Sequence, residues 1–600
     1  MKNLKFKFAA IVLATAATVS CDLTEKMQVD ADKAMIFGTE TGLQTYAYSL
    51  YKGLPNASSA NYLESGKCDY CACNQMNEFF MDGAFTAETS TGWSWTNLHN
   101  INYFLDGLKS PECVVSDDVK KNYEGIARWF RAWFYFDKFT KYGPVPWYDH
   151  CIQNYETDLL YKDRDSRDVI VENMISDLDF AFENIAAKSS TGSSLITKWC
   201  AAALKSRICL FEASFRKYHS ESGKYTPEQL FTLAAEAAKL VIDGSGYGLN
   251  TTAYSNGAYR DLFTSEDTIT KEVLLNVCCN GNAGILGNQN WKYNSASYGN
   301  HLCFTRMFIN TFLMKDGSAF TSKPGYATTE FKDEFTNRDE RLAQIVRSPS
   351  YRMDKKAVVP DIVNQVAMTG YHPIKFCLDE TRYDNAANNI NGTPIIRYAE
   401  VLLNYAEAKA ELGTLTDKEW STTVGAIRSR AGIAGGISTL PTVTDTYMKA
   451  NFYPDVTDPI IMEIRRERAI ELCLEGFRMY DLIRWRCGSL MEKLPWTGIH
   501  FSALDSGIDL NGDGSFDVYF SETPKTGATS AYKDIWVTVN DGSGLYAVPC
   551  PDGGYDIEYH VAGQRKWYSD DRQYLYPIPA KIIRDYAAEG YTMTQNSNWQ

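Results

Sequence analysis

Apolar residues recur in steps of three and four through several long segments of the chain. Between Lys120 and Lys141, the positions Tyr123, Ile126, Ala127, Phe130, Trp133 and Phe134 keep this spacing, which lines one face of an α-helix. Gly143-Pro144 follows and stops the helix, because proline restricts the backbone of its predecessor. Ser166 to Ile185, Leu195 to Tyr218 and Pro227 to Ile242 predict three more helices, the last closed by Gly244 as a left-handed cap.

The third of these helices mixes small Ala201 and Ala202 with larger Leu204, Ile208 and Phe211, and the run from Phe231 to Val241 repeats the mixture. Such faces let consecutive helices approach closely as antiparallel pairs, a pattern similar to degenerate tetratricopeptide-type repeats. From about Tyr247 to Thr393 the periodicity lapses into runs of Gly, Asn, Ser and Tyr, most clearly from Asn280 to Asn300. Helices return at Ile395 to Leu412, Thr416 to Arg430 and Pro459 to Trp485. After Cys487 the chain is again irregular and Gly-rich, with a short strand expected at Ile535 to Val539. The expected fold is mainly α, with helix pairs, long irregular loops and a few short strands. Loops of this length are functional or decorate a scaffold.

The 600 residues are 44% hydrophobic and 22% charged, and 60 basic against 74 acidic side chains leave a net charge of −14. A chain this long buries a large core unaided, and the negative balance argues against nucleic acid, whose binding rests on Lys/Arg–phosphate contacts. Aromatic content is the skewed quantity: 13%, with 38 Tyr and 13 Trp. Aromatics fill cores, and an excess also suits stacking on flat ligands such as sugar rings.

Lys2, Lys5 and Lys7 precede an apolar stretch from Phe8 to Val19, and Ser20 then leads to Cys21. This has the layout of an export signal, too short to span a bilayer. The site resembles a bacterial lipobox, although Thr18 stands where Leu is commonest. Residues 1–20 are the expected signal peptide and Cys21 the expected lipid anchor, several acyl chains giving firm attachment. Fourteen further cysteines, including Cys68-x-x-Cys71-x-Cys73 and Cys278-Cys279, do not form the framework of a small disulfide-rich domain.

Several strings, taken in order, resemble the SusD/RagB family of outer-membrane nutrient-binding lipoproteins. They are Arg131-Ala-Trp-Phe-Tyr-Phe-Asp-Lys-Phe-Thr-Lys-Tyr-Gly-Pro-Val-Pro146, Pro394-Ile-Ile-Arg-Tyr-Ala-Glu-Val-Leu-Leu-Asn-Tyr-Ala-Glu-Ala408 and Ile427-Arg-Ser-Arg-Ala-Gly-Ile433. Ile464-Arg-Arg-Glu-Arg-Ala-Ile-Glu-Leu472, Glu475-Gly-Phe-Arg478, Asp481-Leu-Ile-Arg-Trp485 and Tyr574-Leu-Tyr-Pro-Ile-Pro579 complete the set. The resemblance implies a SusD-like fold, with residues 21–330 an N-terminal region of helical repeats and binding loops and 331–600 the C-terminal region. It also implies a non-catalytic, lipid-anchored protein at the cell surface, on the outer membrane. There it captures oligo- or polysaccharides as the lid of a SusC-like TonB-dependent transporter. The charged strings read as structure: Glu463 with Arg466, Arg468 with Glu471 and Glu475 with Arg478 are opposite charges three apart on a helix, and no catalysis is assigned to Glu467, Glu471 or Glu475.

Candidate sugar-contacting aromatics are chosen by position and chemistry. One group is Tyr70, Phe79 and Trp93, and the second is Trp291, Tyr293 and Tyr298; Trp95 is read as core. A separate signal is Asp509-Leu-Asn511-Gly-Asp513-Gly-Ser515-Phe-Asp517, which matches the first nine positions of an EF-type loop and is read either as a structural calcium site or as an Asx-rich turn. Position 12 is Phe520 instead of Glu, so Glu522 or a more distant carboxylate is expected to complete the set. The rival classes are a glycoside hydrolase, which needs two facing carboxylates, and an assembly subunit that captures a non-sugar nutrient such as peptide. No Gly-x-Ser-x-Gly, His-Glu-x-x-His or phosphate-loop motif occurs.

Overall fold

The computed structural model describes residues 33–58, 66–188, 192–524, 535–560 and 565–599. The leader and Cys21 lie outside the described residues. Helix dominates, and the first helices follow the sequence periodicity closely. Helix α1 is Glu40–Leu50, α2 Thr96–Leu108 and α3 Asp117–Tyr142. Gly143, with φ of 70°, ends α3. α4, Arg167–Asn184, is N-capped by the Ser166 hydroxyl, which accepts from the Val169 amide. α5 is Lys198–His219, and α6, Pro227–Gly244, opens on a reciprocal capping box between Thr226 and Gln229. Gly244 belongs to the helix, and the left-handed residue is Gly246 at φ 77°. α3 packs on α4, α4 on α5 and α5 on α6, so helices consecutive in the chain are neighbours in space.

The later helices are shorter than their periodicity predicts. The Ile395 segment starts as a strand: β1, Val273–Val277, pairs antiparallel with β2, Thr393–Arg397, before α7 runs from Tyr398 to Glu411. Thr423, with ψ of −94°, splits the next helix into Asp417–Thr422 and α8, Val424–Arg430. The long Pro459 helix becomes α9, Pro459–Glu471, and α10, Arg478–Arg484. Between them Leu474 and Gly476 take φ of 60° and 85°, values that α-helical continuation excludes. Beyond them β3, Thr497–Phe501, joins β7, Leu545–Pro549, and β8, Tyr555–Tyr559, in an antiparallel sheet with β8 in the middle. A second small sheet holds β4, Gly507–Ile508, β5, Val518–Ser521, and β6, Trp536–Thr538.

Among the described residues, two large hydrophobic clusters and a small one of Leu313, Ala431 and Ile433 fill the interior. One large cluster joins α1–α10 to the C-terminal residues Trp567 to Trp599, and the other gathers the loops around Tyr70, Phe304 and Tyr371 with the β-sheets. Each draws residues from both sides of position 330. The C-terminal segment returns to the first helices. The Asn596 amide donates to the Tyr142 and Tyr576 carbonyls at 2.9 and 2.7 Å, and Gln573 donates to the Phe79 carbonyl at 2.6 Å.

The charged strings of α9 and α10 are buried between elements rather than arranged as ladders on one helix. Of the three expected pairs, Glu463–Arg466 forms, at 3.1 Å. Glu471 meets Arg341, Arg397 and Arg430, Arg468 turns to Asp481 and Glu407, and Glu475 binds Lys375 and Arg397. Burial raises the Glu471 carboxyl, but Arg430, Arg397 and Arg341 outweigh it and hold the group well below the usual carboxylate range. Buried charges persist only when paired in this way.

Candidate functional site

A cavity of about 550 Å³ opens between α1, α2, α3 and the Glu475–Tyr480 turn. Leu54, Pro55, Trp133, Phe134, Phe477 and Tyr480 supply apolar and aromatic surface, with Asn97, Asn100, Asp137 and Lys138 among them. This combination, aromatic faces beside amides and a few charges, fits a ligand with apolar C–H faces and hydroxyl edges. Both oxygens of Glu475 are engaged, Oε1 by Lys375 at 2.6 Å and Oε2 by Arg397 at 2.7 Å, and among the described residues Asp137 is the other acid lining the cavity.

Residues 90–95 cross over α3 as a strap. Lys138 Nζ donates to the Gly92 carbonyl at 2.6 Å, while Lys141 Nζ and the Tyr142 hydroxyl donate to the Thr91 carbonyl at 3.0 and 2.7 Å. Ser90 donates to the Pro577 carbonyl at 2.8 Å. Burial pulls both lysines below their ordinary pKa, with Asp137 opposing the shift. Gly92 is at φ 96°, and a Cβ there would sit 2.8 Å from Lys141 Nζ, so the strap needs glycine. Its purpose is visible in Trp93, which is half-buried and edge-on to Tyr142 and Trp95, with centroids 5.0 and 5.5 Å away. Trp95 packs against Phe134 and Tyr148.

The expected aromatic groups separate on burial. Tyr70 is 1% exposed and stacks on Phe308, and its hydroxyl accepts from the Leu474 amide. Phe79 is 2% exposed with its ring 4.1 Å from Tyr576, and Tyr293 is 2% exposed. These three are core residues and are withdrawn from the sugar-contacting set, because a ring enclosed on both faces offers none to a ligand. Loop composition could not reveal this, since the C-terminal segment covers Phe79 from nearly 500 residues away.

Trp291 and Tyr298 behave differently. Their rings stack at 3.5 Å with planes 2° apart, both are half-buried, and among the described residues neither packs on either large hydrophobic cluster. Trp291 rides on the short helix Gln289–Asn294, which amides hold in place. Asn290 donates to the Leu378 carbonyl and accepts from the Leu378 amide, and Asn294 donates to Asp384 at 2.7 Å. Asn288 donates to the Ser58 carbonyl at 2.8 Å. This ties the stacked pair to the segment whose Leu54 and Pro55 line the cavity.

The acidic loop between β4 and β5 folds as a series of Asx turns. Asp509 accepts from the Gly512 and Gly514 amides, Asp513 from Ser515 and Asp517 from Leu510. Among the described residues, these three carboxylates do not bring their oxygens within 4.8 Å of one another as a trio. Burial, and then the charges of Asp513 and Asp509, raise the Asp517 carboxyl, while the Leu510 amide opposes the shift. The all-oxygen donor set, with Asn511 and the Ser515 carbonyl, suits calcium. Phe520 is fully buried in β5, and Glu522 accepts from Asn540 at 2.9 Å, so neither completes the set in this geometry.

Cys68, Cys71 and Cys73 are buried, as are most of the other described cysteines. Among the described residues no helix is long and apolar enough to cross a membrane.

The sequence model of the SusD family matches residues 271–599. A SusD-like protein of Formosa agariphila is 24% identical over 425 residues, 66% of this chain and 73% of the relative. A SusD-like protein of Bacteroides fragilis superposes with a TM-score of 0.66 at 21% identity, over 95% of this chain and 98% of its own. A second B. fragilis structure, described as a SusD-like carbohydrate binding protein, also gives 0.66, at 20% identity over 92% and 99%. A further structure, described as solved with a xylogluco-oligosaccharide, gives 0.58 at 16% identity over 93% and 100%. The family match covers more than half of the chain, the helical architecture agrees, and the chain belongs to the SusD family.

Proposed function

We propose that this chain is a non-catalytic, cell-surface lipoprotein that binds a glycan and delivers it to a SusC-like TonB-dependent transporter in the outer membrane. The observation that carries the reading is the Trp291–Tyr298 pair, an aromatic stack outside the hydrophobic core and tied by Asn288 to the rim of the aromatic cavity. Trp93, on its braced strap, supplies a further ring. The described carbohydrate binding of one structural neighbour and the xylogluco-oligosaccharide of another support a sugar ligand. Cys21 is the lipid anchor. Calcium bound by Asp509, Asn511, Asp513, Ser515 and Asp517 would stiffen the β4–β5 connection.

Calorimetry of the full chain carrying Cys21→Ala tests the reading against neutral and acidic oligosaccharides, xylogluco-oligosaccharides included. Saturable binding that weakens at least tenfold in Trp291→Ala is the expected result. Binding unaffected by both Trp291→Ala and Trp93→Ala would reject this site, and release of new reducing ends would replace binding by hydrolysis.

A further inference from the structure

The β7–β8–β3 sheet brings together three side chains that play no part in the aromatic cavity. Strand register sets Asp556 of β8 directly opposite His500 of β3 on one side and Val548 of β7 on the other. Cys550 lies two residues beyond Val548, and side chains two apart on an extended chain share a face. The turn is closed by the Cys550 amide donating to the Gly554 carbonyl and the Gly553 amide donating to the Cys550 carbonyl, both at 3.0 Å. One ligand atom from each of His500, Cys550 and Asp556 lies within 4.8 Å of the other two.

We propose that His500, Cys550 and Asp556 bind a borderline divalent transition-metal ion, with zinc best matched to the donor set. Thiolate, imidazole and carboxylate together suit zinc, whereas calcium and magnesium take oxygen. Bond lengths of about 2.0–2.3 Å place tetrahedral zinc ligands roughly 3.3–3.8 Å apart. His500 is buried on its strand, and the half-exposed Cys550, at the turn, has the room to close the remaining gap.

Two neighbouring features fit the same role. Asp556 Oδ1 accepts from Arg306 Nη1 at 2.7 Å and lies 2.9 Å from His500 Nδ1, while among the described residues no hydrogen bond reaches Oδ2. Arg306 thus orients the carboxylate from outside, as hydrogen-bond partners of metal-bound carboxylates do. Glu334, 3.2 Å from Arg306, offsets the charge of the guanidinium. Gly554 supplies the second feature. A Cβ at this position would sit 2.8 Å from both Cε1 and Nε2 of His500, so glycine lets the ring take the seat in which Nδ1 faces Asp556 Oδ1. Three protein ligands leave a fourth position for water or a bound group.

The test is a titration of the full chain carrying Cys21→Ala, reduced and stripped of metal, with cobalt(II). One equivalent should produce thiolate-to-metal charge-transfer absorption that zinc abolishes by displacement. Cys550→Ser should remove the band, His500→Gln should weaken cobalt binding at least tenfold, and Cys278→Ser, at an exposed cysteine elsewhere, should leave it unchanged. Absence of the band at excess cobalt, or its persistence in a Cys550→Ser protein of native circular dichroism, overturns the site.

Discussion

Arg478 and Asp69, 409 residues apart in the chain, meet inside the protein as a planar two-point ion pair. Nε–Oδ1 is 2.6 Å and Nη2–Oδ2 is 2.7 Å. The Tyr453 hydroxyl accepts from the remaining Nη1 at 3.0 Å, so the guanidinium is solvated by protein in place of water. Removing one partner strands a buried charge, which costs about 3–5 kcal/mol. Asp69→Ala and Arg478→Met are each expected to lower the urea midpoint strongly, and the double variant is expected to recover part of the loss. Additive losses in the double variant would show that the two side chains act independently.

Lys138 braces the strap that carries Trp93. Lys138→Met keeps the stem against Phe134 and deletes the bond to the Gly92 carbonyl. A charge-assisted bond is worth about 1.5–3 kcal/mol, and part of that should reappear as an affinity loss of roughly tenfold for a glycan that uses Trp93. The check is calorimetry beside a melting curve. Unchanged affinity would place Trp93 outside the binding surface.

His219 gives stability a pH dependence of definite sign. Burial, with the ring stacked 4.0 Å from Phe215, lowers its pKa to about 4, although its bond to the Ile483 carbonyl opposes the shift. The folded form therefore stays neutral while the unfolded chain takes up a proton near pH 6.5. Stability is full above that pH and falls as pH drops from about 6.5 to 4, by roughly 3 kcal/mol for this group. His372, also held down by burial, adds to the slope. Urea unfolding of His219→Gln across this window should show a shallower decline than the parent, and parallel curves would contradict the assignment.

Occupancy of the Asp509–Asp517 loop predicts that millimolar calcium raises the melting temperature and that a chelator reverses the gain, because an ion that binds only the folded form stabilises it. Asp509→Ala, which also frees the Gly512 and Gly514 amides, should abolish the response. An identical calcium shift in that variant would move the ion elsewhere.

Phe37 lies against the backbone of α2 at Gly107, where a Cβ would fall 1.9 Å from the ring. Gly107→Ala is expected to destabilise by about 1–3 kcal/mol through overpacking. Combined with Phe37→Ala, which opens the space, it should add almost nothing further. An additive pair in urea unfolding would remove Phe37 as the cause.

The sequence showed the early helices well because α3 to α6 are amphipathic, capped and stopped by local residues such as Ser166, Thr226 and Gly143. It misjudged the Pro459 segment because Leu474 adopts a left-handed backbone that only tertiary contacts enforce. The same gap explains the aromatics. Trp93 and Phe79 sit in similar loop sequence, and what separates them is Tyr576, a residue no local pattern connects to either. The Arg and Glu strings form buried ion pairs, but most partners lie on β2, α7, α8 and distant loops, where i,i+3 spacing has no authority. His500, Cys550 and Asp556 gave no spacing signal at all, since strand register alone assembles them.

The hydrogen bonds from Asn596 to Tyr142 and from Gln573 to Phe79 also change what kind of object the helix array is. An open stack of helix pairs frays from its ends and gains stability one unit at a time. Here Asn596 is bonded to Tyr142, 454 positions earlier in the chain, so the C-terminal end of α3 does not open without it. The chain emerges in the opposite order from the one its closure requires: the repeats are complete long before the segment that clasps them exists. Contacts of such separation slow folding and couple distant parts into one transition, so loss of the final residues would be felt throughout the array and not only at its edge.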